Sequence, residues 1–195
     1  MNLKKPKFWD YKRPNIYAYL LSPLTYFIKI FNYLHLALSK PNLNRINIKT
    51  ICIGNIYVGG TGKTSLAIKI NEILINHKIK SCFIKKFYAS QKDEQNLLRN
   101  RGKLFLSSKR IDAIYEAEQR NYKVAICDDG LQDKSINYDL KLVCFNTINW
   151  IGNGMTLPSG PLRENIKNLK NYEHVFINGN LENLEEIKKQ ILNIN

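Results

Sequence analysis

Short apolar runs alternate with longer amphipathic stretches over most of the chain, from residue 48 to residue 177. The runs at 48–53, 81–84, 103–106, 123–127, 140–145 and 174–177 are rich in Ile, Val, Leu, Phe and Cys and have strand length. Between them, 63–77, 93–100 and 110–120 have the length and apolar spacing of helices. Strands that are apolar on both faces and separated by helices belong in a parallel sheet covered on both sides. The pattern therefore predicts an α/β fold, a parallel sheet with helices on both faces, and no internal repeat.

Ahead of this block the pattern changes. Residues 1–13 are basic and aromatic, and 16–38 form a long apolar segment interrupted by Pro23, Lys29, Asn32 and His35. Its length just spans a bilayer, but the polar interruptions count against a transmembrane reading. Wound as a helix, Leu20, Leu24, Phe27, Phe31, Leu34 and Leu38 recur at intervals of four and three, with Ser22, Thr25, Lys29 and Asn32 out of phase. The tyrosines and flanking lysines suit a helix lying among lipid headgroups. The same stripe also suits a helix packed on the domain core, and periodicity alone does not separate the two. A polar joint at 40–47 divides the chain into an N-terminal amphipathic, membrane-associating segment (1–47) and a main domain (48–195).

Charge adds a bias without a target. The 30 Lys and Arg outnumber the 16 Asp and Glu, for a formal net charge of +14, which favours phosphates, anionic lipid or nucleic acid. Abundant Lys, Asn and Ile match what an A- and T-rich genome produces without selection for a partner, and nucleic-acid binding is not expected. Cys52, Cys82, Cys127 and Cys144 form no C-x-x-C pair and lie in strand-type runs, as small core residues in a reducing compartment do. No signal peptide is visible, and the expected location is inside the cell.

The chemistry lies at two strand ends. After the first run, Gly59-Gly60-Thr61-Gly62-Lys63-Thr64 leads into a helix, so free backbone N–H groups and a helix N-terminus can cradle phosphate oxygens. In such a P-loop Lys63 reaches the β- and γ-phosphates of ATP and the Thr64 hydroxyl sits on Mg²⁺. The motif's first glycine, five residues before Gly62, is replaced by Tyr57. The fourth run ends in Asp128-Asp129, at the edge where α/β sheets bind ligands, and one carboxylate of the pair is expected to hold Mg²⁺ directly or through water.

Three strings in this order, 54–64, Asp128-Asp129-Gly130-Leu131-Gln132, and Gly152-Asn153-Gly154 followed by 157–164, resemble the tetraacyldisaccharide 4′-kinases, the lipid A 4′-kinases. The resemblance runs from about Phe8 to Gly179. It implies a P-loop NTPase-like fold and transfer of the γ-phosphate of ATP to the 4′-hydroxyl of a lipid A disaccharide 1-phosphate at the cytoplasmic face of the bacterial inner membrane, with the protein peripheral or monotopic. Residue by residue, it implies Lys63 and Thr64 at the phosphates and magnesium, Asp128 and Asp129 near the metal, and Arg163 with Glu164 as a charge and metal-contacting pair. It also implies Asp93 as the base toward the acceptor hydroxyl and Arg110 as a site arginine. Without the resemblance, Asp93 reads as a helix N-cap, and Arg110 and Arg163 as surface charges.

The chain departs from that pattern in three places. Lys85-Lys86-Phe87-Tyr88-Ala89 stands for the family's Ser-Arg-Gly-Tyr-Gly, Asp133 stands for a histidine, and the family's C-terminal lobe, with a histidine that assists the base, has no counterpart in these 195 residues. The rival expectation is therefore a non-catalytic nucleotide-binding remnant or an ATP-driven switch at the membrane. A GTPase is disfavoured because no Asn/Thr-Lys-x-Asp string is present to read guanine.

Overall fold

The computed structural model describes residues 5–38, 46–180 and 182–194. One sheet holds β1 (Lys49–Gly54), β2 (Ser81–Lys86), β3 (Leu104–Ser107), β4 (Val124–Asp128), β5 (Leu140–Asn146) and β6 (His174–Asn178) in the order β3-β2-β4-β1-β5-β6. Every pairing is parallel. Each expected strand is present, with bounds within two residues of the pattern. Successive residues point to opposite faces, and in the inner strands β2 and β4 both faces are buried. Along β4, Val124 and Ile126 join one cluster with Ala67, Leu98 and Leu142, whereas Ala125 and Cys127 join another with Ile111, Ile114 and Ala117.

The first cluster is closed by α3 (Lys63–Asn76) and α4 (Lys92–Arg99), the second by α5 (Arg110–Gln119). A third cluster around Ile56, Val143, Phe145 and Leu162 takes in Ile191 of α6 (Leu184–Leu192), a helix that the apolar pattern did not mark. Phe83, Ile53, Ile126 and Leu98 are fully buried, and each stabilises the fold by roughly 2 kcal/mol. All four cysteines are buried and free.

The N-terminal pattern resolves into two helices, α1 (Ile16–Leu20) and α2 (Ser22–Leu38). Asn15 caps α1 by accepting from the Ala18 N–H at 3.1 Å. Pro23 sits in the first turn of α2, where its missing N–H breaks no helical bond. The apolar stripe faces outward, with Leu20, Phe27 and Phe31 70%, 71% and 69% exposed. It is the polar side that meets the domain: Thr25 is buried and its hydroxyl bonds that of Ser159 at 2.7 Å. For these residues the stripe is not packed on the core; the side chain of Leu38 and residues 40–45 of the joint expected at 40–47 lie outside the described residues. Among the described residues no helix is long and apolar enough to cross a membrane.

Candidate active site

The register sets Ile53 beside Asp128 and Cys52 beside Cys127, so the glycine loop and the acidic pair leave the sheet from adjacent strands. Between β1 and α3 the loop is held by Asn55, fully buried, whose side-chain amide donates to the carbonyls of Tyr57 and of Gly59, the latter at 3.1 Å. Gly62 has φ of +84°, and a Cβ there would stand 2.8 Å from Asn178 Nδ2, so glycine is required at the helix entrance. Lys63 follows as the first residue of α3, with Thr64 next and half-buried. Thr61 is buried, and its hydroxyl has no partner among the described residues.

The two aspartates part company. Asp128, still in the strand and fully buried, takes the ammonium of Lys85 at 2.6 Å. Asp129 has φ of +55°, which turns its side chain out of the strand line. Its carboxylate accepts from Arg163 at 2.8 Å and lies 3.9 Å from Lys63, while its carbonyl accepts from Arg110. Burial pushes the Asp129 carboxyl upward, but Lys63, Arg163 and Arg110 outweigh it and hold the group below the ordinary carboxylate range. At 3.9 Å the Lys63 contact is loose, and the ammonium is available to a phosphate.

Arg163 and Glu164 arrive on a loop whose motif residues have structural reasons. Asn153 Nδ2 donates to Ser159 O at 3.0 Å and Asn153 Oδ1 accepts from Met155 N at 3.0 Å; a side chain on Gly160 would overlap both Asn153 Oδ1 and the Met155 carbonyl. The loop is laced to the glycine loop by Val58 N to Pro161 O at 2.9 Å and Arg163 N to Ile56 O at 2.7 Å. Glu164 is oriented by Tyr172 at 2.7 Å, Asn168 at 2.8 Å and Gln132 at 3.2 Å.

Arg110 opens α5 and is 7% exposed, with Nη1 3.2 Å from Asp133, so it is no surface charge. Asp93 is no N-cap either: Gln91 occupies that position, and Asp93 stands exposed in the first turn of α4. Its neighbour Glu94 meets Lys85 at 2.8 Å, which ties the start of α4 to the end of β2 and, through Lys85, to Asp128. An open depression of about 530 Å³ is lined by Lys86, Tyr88, Arg110, Asp129, Gln132 and Arg163, among others. The geometry thus gathers Lys63, Arg110 and Arg163 around Asp129 and leaves Asp93 apart from them, exposed on α4.

Lys85 is the residue that pattern reading missed. Burial pushes its ammonium downward, yet Asp128 and Glu94 outweigh this and hold it above the ordinary lysine range. It is the penultimate residue of β2, the strand that pairs directly with β4, and the sequence shows neither that pairing nor its burial. Among the described residues no three His, Cys, Asp or Glu side chains cluster as a ready metal site. Asp128 Oδ1 is nevertheless buried without a partner, and an orphaned carboxylate oxygen beside a glycine loop fits a cation or a water bound to one.

The chain resembles known proteins in sequence and in fold. The chain is 60% identical to the tetraacyldisaccharide 4′-kinase of Pelagibacter ubique (strain HTCC1062) over 195 residues, all of this chain and 61% of that protein. It is 32% identical to the tetraacyldisaccharide 4′-kinase of Rickettsia canadensis (strain McKiel) over 84% of this chain and 54% of the relative. It therefore spans little more than half the length of these curated relatives. In structure it resembles the "apo" form of LpxK from Aquifex aeolicus, solved in complex with ATP at 2.2 Å, with a TM-score of 0.68 and 22% identity over 82% of this chain and 58% of that one. This likeness confirms the P-loop-like α/β fold. Residues 17–194 match the family model LpxK, tetraacyldisaccharide-1-P 4′-kinase, and the chain belongs to that family.

Proposed function

We propose that the protein is an ATP-dependent, magnesium-requiring kinase that transfers the γ-phosphate to the 4′-hydroxyl of a tetraacyldisaccharide 1-phosphate. The observation that carries this reading is the convergence of Lys63, Arg163 and Arg110 on Asp129, at the mouth of a loop built to bind phosphate. Lys63 turns from Asp129 to the β- and γ-phosphates, and the loop amides hold their oxygens. Magnesium, when bound, neutralises charge on the β- and γ-oxygens. Thr64, Asp128 through Oδ1, Asp129 and Glu164 are the residues to hold it. Arg110 and Arg163 stabilise charge on the phosphoryl group as it moves.

Asp93 takes the proton as the acceptor oxygen bonds to phosphorus and the bond from phosphorus to the ADP oxygen breaks. The depression beside Asp129 receives the sugar that bears the 4′-hydroxyl, with Lys86 as a further cation in its lining.

The acyl chains call for a bilayer, and α1 and α2 supply the docking surface. Their outward apolar face is accompanied by exposed Lys7, Lys12, Arg13 and Lys29, a combination suited to the anionic cytoplasmic face of the inner membrane. Through Thr25 and Ser159 that surface is bonded to the loop bearing Arg163 and Glu164, so a docked lipid lies close to the site. Phosphorus NMR of the lipid product tests the reaction. A second monoester resonance on the distal sugar, with ADP released in equal amount, is expected; phosphate released as free inorganic phosphate alone would make the protein an ATPase instead.

A further inference from the structure

Lys85 has no role in the transfer just described, yet it is placed at the centre of the site. It is 2% exposed, and its ammonium bridges two carboxylates that belong to different elements: Asp128 Oδ2 at 2.6 Å, closing β4, and Glu94 Oε2 at 2.8 Å, in the first turn of α4. A buried ammonium is costly to hold, and well-packed apolar residues of similar size are often as stabilising. Stability alone therefore gives little reason for a lysine here. Among the described residues it is also the one cation on Asp128, since Lys63, Arg163 and Arg110 all turn to Asp129.

We propose that Lys85 is a positioning residue, an internal cation that fixes the start of α4, and with it Asp93, against the carboxylate end of β4. Glu94 is half-exposed, and between two solvated groups such a pair contributes almost nothing. Here the lysine is already held inside by Asp128, so Glu94 finds a fixed charge waiting at the rim. The next residue completes the clamp. Gln95 is 3% exposed and donates to the Tyr88 carbonyl at 2.8 Å, on the segment that leaves β2 just beyond Lys85. Glu94 and Gln95 together fasten the first turn of α4 to β2, and Asp93 directly precedes them. A base on an exposed turn must be held to within a fraction of an ångström to act on a bound hydroxyl, and this clamp does so without touching the substrate.

The tether stands on geometry alone; its effect on turnover rests on the kinase reading. Glu94→Gln tests both, because it cuts the outer arm at an exposed position and leaves Asp128 paired. The 195-residue protein and this variant are compared by amide hydrogen exchange across 92–99, by nucleotide affinity, and by kcat and KM on the lipid disaccharide in mixed micelles. About tenfold faster exchange in that segment is expected, with exchange elsewhere unchanged. ATP affinity within twofold of the parent and kcat lowered about tenfold are expected alongside it. Glu94→Asp, which keeps the charge, is expected to restore much of both. Parental exchange at 92–99 in Glu94→Gln overturns the tether whatever the turnover. If the parent itself phosphorylates no lipid, the kinase reading fails, and the exchange result still decides the tether.

Discussion

At the scale of single residues, the site separates side chains that do chemistry from those that hold them. Lys63 contacts only Asp129 among the ion pairs of the described residues and has no core role, so Lys63→Ala is expected to fold normally. Nucleotide-dependent turnover should fall by about 100-fold or more, the scale on which a charge-stabilising donor is lost; a circular-dichroism melt alongside the assay separates the two effects. Asp93→Asn keeps the shape and removes the base. Nucleotide affinity should be unchanged while kcat falls by about 10²-fold, and normal turnover in that variant removes Asp93 from the mechanism. Asp129 carries a pH signature. Its folded carboxyl titrates below its unfolded value because Lys63 and Arg163 favour the anion. The stability it contributes is therefore full above about pH 4 to 5, near the unfolded value, and is lost as pH falls through the lower folded value. Wild type should outlast Asp129→Asn in urea at pH 6, and the gap should narrow as the pH is lowered below about 4.

At the scale of elements, the strands were the most legible feature. The inner strands are largely buried apolar runs, and the helices α3, α4 and α5 fall where amphipathic stretches lie between them. The N-terminal stripe was legible as a stripe but not in its direction, because periodicity separates two faces and cannot say which is covered. The buried contact of Thr25 with Ser159 decides that here. Leu184–Leu192 escaped notice because only Ile187 in it is buried, too thin an apolar signal amid Glu and Lys. The exposed face of α1 and α2 has a direct test. Phe27→Glu with Phe31→Glu removes apolar area worth about 2 kcal/mol per ring in the bilayer and adds charge of the wrong sign. Co-sedimentation with vesicles containing phosphatidylglycerol should drop at least tenfold with the thermal midpoint unchanged; equal co-sedimentation means that the face docks elsewhere.

At the scale of the whole molecule, topology makes the site. Inserting β4 between β2 and β1 brings together a glycine loop and an acidic pair that are some 65 residues apart in sequence. The glycine loop and the pair were readable because backbone chemistry dictates their residue types. The loop at 152–164 was readable only by likeness, since its glycines and Asn153 serve internal packing that no local pattern announces. Lys85 was not readable as a site residue, because a lysine at a strand end ordinarily points to water. The central proposal is that these parts carry out phosphoryl transfer to a lipid. The most direct measurement incubates the purified 195-residue protein with γ-labelled ATP, magnesium and tetraacyldisaccharide 1-phosphate in mixed micelles, alone and with added cell extract, and follows label in the lipid. The account predicts labelled lipid from the protein alone, dependent on magnesium and abolished by Lys63→Ala. ATP binding with no labelled lipid under either condition would contradict it and leave a nucleotide-binding remnant.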